Sequence, residues 1–163
     1  MYVNLKRRLP VRFFICLITL TILLGTMPSD LIAQAEEPDV YQERMELYKK
    51  VETVTQIPWY YLAAIDQYER TIRRVRRDLP KQEGIIGIYF KPEVWSGLLN
   101  PNPSDENPTS IQFFNGLGID GNGDGKASLK DDEDVLQAFA NYILTYGSEE
   151  ENLKIALWEY YHR

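Results

Sequence analysis

Past Cys16 the chain contains no cysteine, and its one histidine, His162, stands next to the last residue. No disulfide framework is available to the folded part. Ser-His-Asp and Cys-His nucleophilic arrangements have almost no parts to work with, and a histidine-ligated catalytic zinc site is excluded on the same count. Long apolar runs are missing too, apart from residues 13–24 near the start. No segment reads as a convincing strand, so no glycine-rich phosphate loop follows one. Basic charge is not in excess: the net charge is −6 over 163 residues. An acidic balance argues against general nucleic-acid binding, which wants a positive surface.

The start of the chain has its own logic. Lys6, Arg7, Arg8 and Arg12 form a basic head before the apolar run, Pro28 breaks it, and Ala33-Gln34-Ala35 offers a small-x-small cleavage pattern. Together these predict a secretory signal peptide over residues 1–35 or, uncleaved, a membrane anchor. The run is short against the ~20 residues a spanning helix requires. Cys16 lies inside it rather than after it, which argues against a lipid-modified anchor. Residues 36–163 are expected to form one exported domain, acting as a monomer. That part keeps 14 basic and 23 acidic residues, with the basic ones concentrated from Arg70 to Arg77.

Helical periodicity runs through the rest, and the predicted class is all-α. Asp39 can cap a helix to about Val54, with Tyr41, Met45, Tyr48 and Val51 on one stripe. Pro58 suits the first turn of a second helix running to about Arg77, with Tyr61, Leu62, Ile65, Tyr68 and Ile72 as its apolar face. Residues 84–97 are compact and mixed, with Pro92 starting a short turn through Trp95. Residues 100–108 read as a loop, and Asn107-Pro108 caps a short helix. Asp131 or Asp134 opens a helix bearing Val135, Leu136, Phe139, Tyr142 and Ile143, which Gly147 ends. Ser148 with Glu151 forms a capping box for a last helix carrying Ile155, Ala156, Leu157 and Trp158.

Two features carry chemistry. The first is an EF-hand-like loop, with oxygen donors Asp120, Asn122 and Asp124 at the first, third and fifth positions, Gly125 at the sixth and Ser128 at the ninth. Lys126 would contribute its backbone carbonyl, and Asp131 stands at the twelfth position where glutamate is usual. A structural Ca2+ that fixes the start of the next helix is expected, against the plainer reading of an Asx-rich turn. The second is Glu69, on or beside the second helix's apolar stripe, one turn after Ile65 and next to Tyr68, with Trp59, Tyr60 and Tyr61 crowding the start of that helix. Partial burial among aromatics raises a carboxyl pKa, as a general acid requires. Its plainer reading is an i,i+4 pair with Arg73.

The segment Tyr61-Leu62-Ala63-Ala64-Ile65-Asp66-Gln67-Tyr68-Glu69 resembles the catalytic helix of lytic transglycosylases and goose-type lysozymes. Gly84-Ile85-Ile86-Gly87, Pro92 and Trp95 are similar to that family's glycine-rich segment. The loop 119–127, with Asp134 and Asn141-Tyr142, is similar to the calcium loop and helix of its membrane-bound branch. The resemblance covers about Glu43 to Gly147 and implies a lysozyme-like helical fold. It also implies action on peptidoglycan, in which Glu69, as sole acid and base, cleaves the MurNAc–GlcNAc bond to a 1,6-anhydro product. Tyr142 would hydrogen-bond the glycan, and Trp95, Tyr89 and Phe90 would stack on sugar rings; each reads equally as plain core. The chain departs from the family at Arg70, where serine or threonine is usual, and at Tyr89-Phe90, where a cleft glutamine is usual. Leu129 to Asp132 also replace an aromatic-proline step.

The same stretch resembles the leading domain of some Gram-positive secreted cell-wall metallopeptidases, in which a zinc domain follows. This chain would then end before such a domain. The expectation leans to a wall-associated lytic transglycosylase, with a non-catalytic peptidoglycan-binding module as the alternative. The arginines from Arg70 to Arg77 read either as a solvated helix face or as a surface for peptide-stem carboxylates or anionic wall polymers.

Overall fold

The computed structural model describes residues 39–76, 78–79 and 84–162. The chain divides into a unit of residues 1–37 and a compact unit of residues 38–163. The basic head, apolar run and cleavage pattern lie outside the described residues, as do Arg77 and Gln82. Among the described residues six helices follow one another: α1 (Val40–Thr55), α2 (Trp59–Val75), α3 (Pro92–Ser96), α4 (Pro108–Phe113), α5 (Asp132–Leu144) and α6 (Glu150–His162). Among the described residues no strand forms, and the unit is all-α. No helix in them is long and apolar enough to cross a membrane.

The helix starts follow capping chemistry. The Asp39 carboxylate accepts from the Tyr41 amide at α1, and Asn107 accepts from Thr109 and Ser110 at α4. Asp131 accepts from Glu133 and Asp134 at α5. Each satisfies backbone donors that the first turn leaves open. Pro58 sits at the N-cap of α2, and Gln56, in the left-handed region at φ 63°, turns the chain out of α1.

α1 packs on α2 and α5, and α6 packs on α5, around one apolar core. Leu62, Ile86, Trp95, Ile111, Leu136, Phe139 and Ile143 are its best-buried large side chains. Burial of this kind contributes about 25 cal/mol for each Å2 of apolar surface removed from water. The expected stripes need two corrections. Tyr41 and Tyr68 are exposed, at 75% and 54%, and α2 buries Asp66 and Glu69 instead. α6 buries Leu153 and Ala156 while Ile155 and Trp158 face outward. α6 lays only a narrow stripe against α5, so apolar residues off that stripe stay in water.

Candidate functional site

Two buried carboxylates on α2, three residues apart, organise the site. Asp66 has no exposure at all. Its Oδ2 accepts from the Tyr48 hydroxyl of α1 at 2.5 Å and lies 3.2 Å from Arg70 Nη2, one turn along α2. Its Oδ1 accepts from the Gly87 amide. A buried charge is tolerated only when it is paired and hydrogen-bonded, and here three segments meet that need. The Tyr48 hydroxyl ionises less readily than usual, pushed up by burial and then by the Asp66 carboxylate. Gly87 has no alternative residue: a Cβ there would lie 2.4 Å from Arg70 Cγ and 2.9 Å from the Arg70 amide nitrogen. Arg70 therefore serves the Asp66 network.

The glycine-rich segment is pinned at its other end by α5. Asp132 accepts from the Ile85 and Ile86 amides at 2.9 and 3.0 Å. The segment is thus clamped between α2 and α5, which fixes Tyr89 and Phe90 beyond it.

Glu69 is 6% exposed and lines a cavity of about 370 Å3. Arg73, Arg76, Tyr89, Lys91, Tyr160 and Tyr161 share that lining. Burial raises the Glu69 pKa above the ordinary glutamate range; the Tyr161 hydroxyl bonded to it and the nearby Arg73 partly offset this. Arg73 Nη2 lies 3.9 Å from Glu69 Oε2, so the i,i+4 pair and the buried carboxyl are both present. The Arg73 guanidinium also donates to the Gly87 carbonyl at 3.0 Å and sits 4.7 Å above the centre of the Tyr89 ring. It is held on three sides.

The last helix closes one wall. The Tyr160 hydroxyl donates to the Tyr89 carbonyl at 2.7 Å and accepts from the Tyr89 amide at 3.2 Å. Burial, followed by the negative charge of Glu69, pushes the hydroxyl pKa values of Tyr160 and Tyr161 up. Neither tyrosine was singled out from sequence. Their signal was weak: adjacent aromatics at the end of a helix read as packing. Asp66 was missed as well, although a charged residue within an apolar stripe was there to be seen.

The expected sugar-contacting residues separate. Tyr89 lines the cavity and is partly exposed. Trp95 is 1% exposed, and its indole N–H donates to the Ala127 carbonyl at 3.0 Å. Phe90 is 2% exposed, packed among Trp95, Phe139 and Tyr160, although its edge reaches the cavity wall. Tyr142 is 3% exposed and donates to the Ala156 carbonyl at 3.2 Å, away from the cavity lining. Stacking on a sugar needs an open ring face, and Trp95, Phe90 and Tyr142 have given theirs to the core. All three rings are packed into the core, Phe90 at the cavity's edge.

The loop before α5 is wound around Asp120. Its carboxylate accepts from the amides of Gly123 at 2.7 Å, Asp124 at 3.0 Å and Gly125 at 2.8 Å. Gly123 and Gly125, at φ 83° and 90°, make this winding possible. Asn122 Oδ1 accepts from the Asp124 amide and Asp124 Oδ1 from the Lys126 amide. Buried Asp134 closes the loop from α5, accepting from Gly121, Asn122 and Ser128. The donors are hard oxygens of the kind that hold calcium. Yet they serve the loop's own amides, and no three acid, histidine or cysteine side chains gather as a metal set among the described residues. Asp131 acts as the α5 cap and accepts from the Asn122 amide group at 2.8 Å.

Comparison with known proteins adds a decisive observation. The chain is 52% identical over 144 residues to an L-Ala–D-Glu endopeptidase of Bacillus subtilis (strain 168), a match covering 88% of this chain and 44% of that protein. The chain thus spans less than half the length of the curated relative it matches. No family model matches, and no solved structure does. The relative's name points to a peptidase. The expectation of a lytic transglycosylase is therefore overturned. Glu69 itself is engaged by Tyr161 and Arg73.

Proposed function

We propose that this chain is the non-catalytic, peptidoglycan-binding leading domain of a cell-wall peptidase, facing the wall outside the cytoplasm. One observation carries the reading. A relative named for cutting an L-Ala–D-Glu bond matches nearly the whole chain over less than half its own length. The matching chain has one cysteine, inside the apolar leader, and one histidine, so it lacks the usual parts for peptide hydrolysis. The scaffold in this reading is lysozyme-like, with α2 and the glycine-rich segment forming the groove. Arg70, committed to Asp66, and the Glu69–Tyr161 bond belong to a groove kept for binding.

In the same reading the loop before α5 is a weak calcium site. Asp120, Asn122, Asp124, Ser128, Asp131 and the Lys126 carbonyl would hold the ion. Bound there, it would neutralise the loop's negative charge; no binding step depends on it.

The test uses the intact chain with purified sacculi. Co-sedimentation is expected, with mass spectra of the supernatant free of 1,6-anhydro muropeptides and of cut stem peptides. Failure to co-sediment would remove the binding function, and either released product would remove its non-catalytic character.

A further inference from the structure

We propose that Tyr161 is a gate across a single groove along α2, and that an oligosaccharide strand opens it by taking the place of its hydroxyl at Glu69. The inference rests on the wall-binding reading above and names the side chain that admits the glycan. Two cavities lie along α2, each with α6 on one wall. One is the cavity beside Glu69, of about 370 Å3. The other, of about 400 Å3, is walled by Leu153, Lys154 and Leu157 of α6. Tyr61, Ile65 and Tyr68 line the second, and Glu69, Ile72 and Arg76 the first. From Tyr61 through Ile65, Tyr68 and Ile72 to Arg76 each step is three or four residues, so these side chains share one face of α2. The two floors are consecutive lengths of one track, about 22 Å long at a helical rise of about 1.5 Å per residue. Among the described residues Tyr161 alone lines both cavities.

Tyr161 is held lightly where its neighbour is held fast. The Tyr160 hydroxyl is bonded to both backbone groups of Tyr89, and its ring packs on Phe90 and Phe139. That anchors α6 at this point. Tyr161 is 40% exposed; its hydroxyl is bonded to Glu69, and its ring meets the exposed Tyr68 edge-on at 5.5 Å. Rotation about its own side-chain bonds clears the track without moving the helix, a fast motion for an exposed side chain. The rotation leaves behind the buried Glu69 carboxyl, which then needs a new partner. Glu69 stands in mid-track, so an apolar chain or an apolar helix face laid there would leave it unsatisfied. A sugar supplies a hydroxyl in place of the phenol. It also brings apolar ring faces to Tyr61, Tyr68 and Tyr89, none of them buried.

The intact chain carrying 3-fluorotyrosine would be titrated with chitohexaose and chitobiose, beside Tyr161→Phe and Tyr161→Ala. The signal missing from the Tyr161→Phe spectrum assigns the residue, and chitohexaose should move it toward the position of a solvent-exposed tyrosine. Tyr161→Ala should bind chitohexaose about tenfold more tightly, the scale of one hydrogen bond no longer broken on entry. Tyr161→Phe, which keeps the ring, should gain less. Chitobiose, too short to cross from one cavity to the other, should respond less than chitohexaose to either substitution. Both variants should keep the parent's far-UV helical signal, because the position is well exposed. Weaker chitohexaose binding by Tyr161→Ala would make the residue a contact surface and overturn the gate. So would unchanged binding in both variants, an equal gain for chitobiose, a Tyr161 signal that stays fixed at saturation, or no chitohexaose binding by any form. Sacculus co-sedimentation that persists through such a failure would remove the gate and leave the wall-binding reading standing.

Discussion

A carboxylate with no exposure to water must be satisfied from every side, and Asp66 draws on α1, α2 and the glycine-rich segment at once. Removing it leaves the Tyr48 hydroxyl, the Gly87 amide and a part of Arg70 unanswered in the core. Asp66→Ala should therefore cost on the order of 3 kcal/mol, read from urea unfolding. A loss near zero would mean that the network relaxes elsewhere. Glu69 behaves differently, because burial raises its pKa. The folded state holds that proton more tightly than the unfolded chain does. Stability from this group is thus complete below the unfolded glutamate value and declines as pH rises through the folded one. Glu69→Gln abolishes the dependence, so the variant should gain on the wild type as pH climbs through the range just above ordinary glutamate titration. Paired melting curves across that range would check it, and parallel curves would contradict it. Both acids lay within a motif recognised from sequence, yet only Glu69 was legible there. Asp66 acquires its role from Tyr48 and Gly87, eighteen and twenty-one residues away along the chain.

Elements carry their own lesson. α1, α2, α4 and α5 were readable because capping residues and apolar spacing agree on them. The face of α6 was not, since its aromatic residues offer several stripes and only contact with α5 selects Leu153 and Ala156. The loop of residues 118–130 was legible as a shape: its glycines and Asx residues dictate the winding about Asp120. The calcium proposal makes a prediction at this scale. Millimolar calcium should raise the midpoint of thermal unfolding by a few degrees, roughly 1 kcal/mol for a domain of this size. Asp120→Ala should abolish that increment. An unchanged midpoint in calcium and in chelator would leave the loop as a capping turn alone.

For the whole molecule, the sequence by itself determined the class and the exclusions. Helical spacing predicts the all-α unit, the acidic balance argues against a general nucleic-acid surface, and a single cysteine and a single histidine leave few parts for the common hydrolytic centres. These properties are local or additive, so they can be read along the chain. Only the tertiary structure decided which aromatics were wall and which were core. Trp95, Phe90 and Tyr142 differ from Tyr89 in what packs on them. It also decided that Tyr160 and Tyr161 stand beside Glu69, and that Arg73 and Arg76 line the same cavity. Burial and partnership across long separations depend on how helices cross. That is fixed by the sum of many small packing contacts, which no short stretch of sequence states.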